Sequence, residues 1–260
     1  MLVKDQITNA YRHKNLLYEL VINTIKKRYR RSVLGVLWSM LNPLMTMGVQ
    51  AFVFSNIFRS NIENYLLYLI TGQILFNFFC EGTNMGMSSI IANAALIKKV
   101  RVPKYMFPFA AVMSSCVNLL FSMPALIIIM LITKTFPTVA TPVFILPLLF
   151  MLVFCMGVSL ILSTMAVFFR DILHLWGVFL TLLNYATPIF YSADLISDKR
   201  AAILRLNPLY HYIKAFRAPL YGGVLPPLRT LGFCAIGAVL ALAIGTLVFR
   251  CNQKKFILYV

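Results

Sequence analysis

Long stretches almost free of charge decide what this chain can become. A helix needs about 20 apolar residues to cross the hydrocarbon core of a bilayer, and six segments here reach or approach that length. They run from about Val33 to Phe58, Tyr65 to Ile91, Tyr105 to Thr133, Pro142 to Phe169, Ile172 to Tyr191 and Thr230 to Phe249, with Glu81 as the one carboxylate inside them. With 60% hydrophobic and 12% charged residues in 260, the fold class is an all-α integral membrane protein with six transmembrane helices. Residues 33–260 form that membrane domain, and residues 1–32 a separate leader.

The net charge of +17 would suggest nucleic acid in a soluble domain. Here the bases sit beside apolar runs, where anionic lipid and topology account for them, so no nucleic-acid partner is expected. Eight lie before the first span, four around Lys98, one at Arg170 and three from Arg250 onward, together sixteen of 24. An even number of spans puts all of these on one side, and the excess of Lys and Arg makes that side cytoplasmic, with both termini there.

The leader carries no cleavable signal pattern. From Tyr11 to Tyr29 the apolar residues Leu17, Val21, Ile25 and Tyr29 recur every four positions, with Lys14, Lys26, Lys27 and Arg30 elsewhere on the wheel. This predicts a basic amphipathic helix on the cytoplasmic leaflet. A solvated juxtamembrane leader is the plainer alternative. Between the fifth and sixth spans, residues 192–229 are cut by Pro208, Pro219, Pro226, Pro227 and Gly222-Gly223 into pieces of about ten residues. Such pieces form short helices that cannot cross, and re-entrant or interfacial helices satisfy their backbone. Tyr191, Tyr210, Tyr212 and Tyr221 fit an interfacial aromatic belt.

Four bases, Lys98, Lys99, Arg101 and Lys104, punctuated by Pro103, sit in the short loop between the second and third spans. With it, four further pieces occur in order: Lys27 to Trp38 with Leu41-Asn42-Pro43-Leu44; Arg170-Asp171-Ile172; Thr187-Pro188-Ile189-Phe190-Tyr191; and Asn207-Pro208-Leu209 followed by Phe216-Arg217. Over nearly its whole length the chain resembles the permease subunit of bacterial ABC exporters of polysaccharides and polyol phosphates, the family that moves O-antigen, capsule and teichoic-acid polymers.

That resemblance implies a division of labour. A separate ABC ATPase subunit binds ATP and Mg and supplies the power, while this chain, which has no cofactor of its own and is not an enzyme, forms the path. In keeping with this, no glycine here is followed by lysine, so the chain holds no P-loop. The family's cytoplasmic coupling helix falls at about residues 93–104: Asn93, Leu96, Ile97, Lys98, Lys99, Val100, Arg101 and Pro103, with Leu96, Ile97 and Val100 as apolar anchors and the bases at the rim. A second contact is expected at Arg170 and Asp171, unless that pair only caps its helix junction. The resemblance further implies a homodimer in the bacterial cytoplasmic (inner) membrane and, as cargo, a lipid-linked glycan. Arg28, Arg30 and Arg31 are candidates to receive a diphosphate, or simply to hold lipid headgroups. Trp38, Tyr185, Phe190 and Tyr191 are candidates to line the substrate path, along with Phe76, Phe78 and Phe79. An ABC permease for a drug or small lipid is the alternative reading.

Other signals are structural in character. Glu81 is an ionisable group within a span and so a candidate for function, but Asn77 and Asn84 lie one turn away and favour a hydrogen-bonded packing role. Gly82 and Gly86 form a G-x-x-x-G that predicts close helix approach. Cys80, Cys116, Cys155, Cys234 and Cys251 are scattered, and His13, His174 and His211 lie far apart, which gives neither a disulfide frame nor a metal site.

Overall fold

The computed structural model describes residues 14–30, 32–58, 62–99, 102–192 and 206–259. Within them the chain forms α1 (Lys14–Tyr29), α2 (Leu37–Phe58), α3 (Tyr65–Ala92), α4 (Ala94–Lys99), α5 (Met106–Ile132), a 3-10 turn (Thr141–Phe144) that leads into α6 (Ile145–Phe168), α7 (Ile172–Ala186), α8 (Pro208–Leu220), α9 (Leu228–Asn252) and α10 (Phe256–Tyr259). No strand occurs among the described residues.

Among the described residues, three segments are long and apolar enough to cross a membrane: Met106–Ile132, Thr141–Phe168 and Leu228–Asn252. Helix α3 matches them in length at 28 residues, and α2 is somewhat shorter at 22. Asn42 and Gln50 on α2, and Gln73, Asn77 and Glu81 on α3, dilute their apolar character. Helix α7 is shorter, at 15 residues. Hydropathy extends this span to Tyr191, but the helix stops at Ala186 because Thr187 precedes Pro188 and takes an extended backbone (φ −104°, ψ 133°). The proline ring disfavours helical geometry in the residue before it. Likewise α2 starts at Leu37 and not Val33, since Gly35 turns the chain with a positive φ of 49°.

The core lies between α3, α5, α6 and α9. Small residues bring these helices together, because lipid tails supply no hydrophobic force between them. A Cβ on Gly157 of α6 would run into the backbone of Ala241 and Leu242 on α9, and one on Gly245 into the backbone of Gly157. At the predicted G-x-x-x-G, Gly86 alone is tight, against the side chain of Ser159. Gly82 has ordinary contacts of 3.8 Å and beyond. Buried Cys155 and Cys234 act as small packing residues, and all five cysteines are free thiols.

Two ends of the bundle can be told apart by what meets there. At one, Lys104 donates from Nζ to the carbonyl of Gln253 (2.6 Å), and Ile90, Ile97, Phe107, Val167 and Phe256 share one buried cluster. This joins α4, the α6–α7 junction and the C-terminal turn, and half-buried Leu20 of α1 packs on the same cluster. At the other, Tyr221 donates to the Glu63 carbonyl (2.5 Å), Tyr65 to the Phe190 carbonyl (3.0 Å) and Thr138 to the Gly223 carbonyl (3.3 Å).

Candidate functional site

Helix α4 is a single six-residue element hung between α3 and α5. Asn93 starts it: its carbonyl accepts from the amides of Leu96 and Ile97, both at 3.0 Å, while its side chain donates back to the Ser89 carbonyl (2.8 Å). Pro103 opens the next helix, its carbonyl accepting from Met106 N (3.1 Å). Leu96, Lys98 and Lys99 face outward, with Leu96 37% exposed. Ile97 turns inward, only 8% exposed, into the cluster with Ile90, Phe107 and Phe256. It therefore seats the helix on the bundle and presents nothing to a partner. Val100 and Arg101 lie outside the described residues. Arg170 and Asp171 are both exposed at the α6–α7 junction, and the Asp171 side chain makes no capping hydrogen bond. Partial burial lowers the basicity of Lys104, whose ammonium also sits 5.7 Å from the Phe256 ring centroid.

Helix α1 is tied to the bundle by one polar network. Arg28 Nη1 donates to Glu81 Oε1 of α3 (2.5 Å), Asn118 of α5 donates to Glu81 Oε2 (2.7 Å), and Tyr29 donates from its hydroxyl to Asn118 Oδ1 (2.6 Å). The predicted partners Asn77 and Asn84 take no part; Arg28, 53 residues away in sequence, supplies the charge. Apolar Leu17, Val21 and Ile25 are half-buried, as the spacing of four requires, and Lys26, Lys27 and Arg30 are exposed. Since the Arg28 and Glu81 side chains are 36% and 22% exposed, solvent screens the pair. Arg28→Gln should cost about 1 kcal/mol. Arg28→Glu should cost more, and adding Glu81→Arg should restore much of the loss. A double-mutant cycle on melting temperature in detergent checks this, and zero coupling would refute the pairing.

Above that network, polar side chains from three helices face one another. Ser39, Asn42, Thr46 and Gln50 of α2, Gln73, Asn77 and Glu81 of α3, and Ser115, Asn118 and Ser122 of α5 border a cleft of about 360 Å³. Each set repeats every three or four residues, which keeps it on one helical face. Part of the seam is dictated by Pro43. Without an amide hydrogen, proline leaves the carbonyl four residues back without its helical donor. That carbonyl belongs to Ser39, and Ser122 of α5 donates its hydroxyl to it at 2.7 Å.

At the opposite end, the irregular run from Thr187 to Tyr191 is held by side chains. Buried Arg217 of α8 donates to the carbonyls of Pro188 (2.7 Å), Ile189 (3.0 Å) and Tyr68 (3.0 Å), and its guanidinium lies 3.6 Å from the Tyr68 ring centroid. Tyr68 donates to the Tyr191 carbonyl (2.7 Å). Asn207 caps α8 by accepting from Leu209 N (3.0 Å), with Pro208 at the first helical position, and donates to Thr187 Oγ1 (2.9 Å). The Asn-Pro and Thr-Pro motifs thus meet in space, and Arg217, cited in the sequence only as part of a motif, is the residue that joins them.

The ABC-2 type transporter family model matches residues 15–221, most of the chain. The chain belongs to the ABC-2 type transporter family. It is similar to the O-antigen export system permease protein RfbA of Myxococcus xanthus, 30% identical over 252 residues that cover 96% of this chain and 97% of that one. A protein of the same name from Klebsiella pneumoniae is 33% identical over 213 residues, covering 81% and 82%. The capsule polysaccharide export inner-membrane protein CtrC of Neisseria meningitidis is 23% identical over 217 residues, 80% of each.

In this ABC-2 protein the path candidates separate by exposure. Trp38 and Tyr185 are open at 46% and 64%. Tyr191 is half-buried, its hydroxyl donating to the Tyr185 carbonyl (2.9 Å). Phe190 is 5% exposed in the single chain and stacks on Phe54 with centroids 5.6 Å apart. Phe76, Phe78 and Phe79 are buried as well, with Phe78 on the wall of the α2–α3–α5 cleft. Arg30 is exposed beside the paired Arg28, and Arg31 lies outside the described residues. Hydropathy and motifs do not single out Gln50, Gln73, Asn118 or Ser122, although Gln73 stands four residues before Asn77, on the face marked by Glu81.

Proposed function

We propose that the chain is the membrane-spanning permease of an ATP-driven exporter that carries a lipid-linked polysaccharide across the bacterial inner membrane. The observation that carries this reading is full-length similarity to permeases named for O-antigen export, 30% identical over 96% of the chain. Six passes are supported by the way α2, α3, α5, α6, α7 and α9 run between the two ends. The polar residues that dilute α2 and α3 face the shared cleft, away from lipid. The end that gathers α1, α4, Arg170, Asp171 and the C-terminal turn is the cytoplasmic one, because the sequence segments that lead to it carry sixteen of the 24 bases. Helix α8, buried through Leu209, Tyr212, Phe216 and Arg217, is re-entrant from the outer face.

An ATPase subunit, holding ATP and Mg, docks on α4. Leu96 is the apolar contact, Lys98 and Lys99 form the rim, and Arg170 with Asp171 provides a second point. Nucleotide-driven motion of the ATPase moves α4, and Ile97 passes that motion to the ends of α3, α5 and α9. Two copies of the chain face each other across α2 and α7. Their outward residues, Val49 and Val53 on α2 and Leu175, Val178 and Leu182 on α7, are more than half exposed in the single chain.

Leu96→Asp should cut the ATPase recovered with the purified permease by about tenfold or more, with the permease still inserted at its normal level. Ile97→Asp should instead lower the permease level, since it buries a charge in the helix seat. Undiminished ATPase recovery from Leu96→Asp would remove α4 as the dock. Depletion of the chain should leave lipid-linked glycan inside the cell. Drug sensitivity without that accumulation would point to a drug or small-lipid permease instead.

A further inference from the structure

The cleft between α2, α3 and α5 holds two amides whose chemistry is unfinished. Gln73 is only 5% exposed, and the Oε1 atoms of both Gln73 and Gln50 are buried without a hydrogen-bond partner. A buried acceptor left unpaired costs about 1–3 kcal/mol, so turning either amide to meet a donor in the cleft recovers free energy. The last torsion of a glutamine is broad and twofold, and each amide can turn either its oxygen or its NH₂ toward the cleft. Asn42 and Asn77 add two exposed amides on the same walls.

The charges beside the cleft cancel, because Glu81 is paired with Arg28. A phosphate placed here would meet no net positive field, and a lipid tail would leave the amides unsatisfied. Hydroxyl groups, which donate and accept at once, match amides on both counts. From Gln73 to Glu81 the polar stripe runs about 12 Å along α3, long enough for more than one hydroxyl-bearing unit, and the cleft volume of about 360 Å³ lies within the range of small-ligand sites. We propose that this cleft, inside one subunit, is a subsite for neutral sugar units of the exported chain, with Gln73 and Gln50 as facing amide contacts. The proposal rests on the reading of the protein as a glycan exporter.

The test uses the full transporter in cells, with Cys80, Cys116 and Cys251 replaced by serine and Asn77→Cys as the label site. An ATPase variant that binds but does not hydrolyse ATP stalls export. A hydrophilic maleimide should label the site about fivefold more slowly in cells that make the glycan than in cells that make none, as occupancy requires. Gln50→Leu with Gln73→Leu should abolish that protection. Equal rates in the two strains, or no labelling in either, would overturn the subsite. Protection in cells that make only the priming sugar on its diphosphate carrier would assign the cleft to the headgroup and overturn the neutral-sugar proposal. Surface glycan is measured in parallel with the active ATPase: equal labelling with normal export removes the subsite alone, while export that continues without this chain removes the functional reading.

Discussion

Arg217→Leu is expected to release the loop from Thr187 to Tyr191 and lower the melting temperature of the purified permease by about 10 °C. Three hydrogen bonds from the guanidinium end at once, to the carbonyls of Pro188, Ile189 and Tyr68. Charge-assisted bonds contribute about 1.5–3 kcal/mol each. Replacing a buried cation by an apolar side chain removes a desolvation cost that offsets part of this, which leaves about 3 kcal/mol, and a chain of this size shifts by about 2–4 °C per kcal/mol. The single hydroxyl proton of Tyr68 goes to the Tyr191 carbonyl (2.7 Å), with the Pro188 carbonyl farther off at 3.2 Å, so the carbonyls of Pro188 and Ile189 both lose their donor. Arg217→Lys should recover little, because one ammonium cannot reproduce the planar fork that reaches three carbonyls. Gly72→Ala provides a separate approach to the same pocket. Its new Cβ would collide with Arg217 Nη2 and should give a smaller loss of the same kind. A leucine variant with an unchanged melting temperature would show that the loop holds itself.

The route from sequence to this clamp was only half open. Asn207-Pro208 and Thr187-Pro188 announce a helix start and a helix stop by local chemistry alone, and both occur where that chemistry puts them. That Arg217 bridges them depends on α8 folding back against α3, a contact 149 residues apart for Tyr68, which no local pattern encodes. The same limit applies at Glu81. Spacing placed it on a face with Asn77, but its partner Arg28 comes from α1 across a tertiary contact. Ile97 shows a different limit: a helix of six residues has fewer than two turns, too few for periodicity to say which apolar side chain faces the bundle. Helix lengths were the most legible feature, because a run without charges needs only counting, and the errors fell at Gly35 and Thr187, where backbone sterics overrule hydropathy.

Gly157→Ala is expected to do more damage than its single methyl suggests, and Gly157→Leu to prevent the permease from accumulating. The obstacle to a Cβ at Gly157 is the backbone of Ala241 and Leu242, and at Gly245 the backbone of Gly157 itself. A side chain can rotate away from a clash, whereas a helix backbone has to move as a body. Alanine should therefore cost about 3 kcal/mol, the upper part of the range for overpacking, and leucine considerably more. Separation of α6 from α9 would not stay local. Helix α9 carries Cys234, whose carbonyl accepts from Tyr212 of α8 (2.8 Å), and Phe249, which packs in the cluster that seats Ile97. Loosening it weakens both the Arg217 clamp and the α4 seat, so Gly157→Ala should also reduce ATPase recovery, although residue 157 is remote from α4. Gly177→Ala and Gly232→Ala are the controls: a Cβ at either meets nothing within 4 Å, and alanine favours helix over glycine, so neither should lower the melting temperature. If all three alanine variants behave alike, helix propensity and not backbone contact governs these positions, and the close approach of α6 and α9 is not what holds the bundle together.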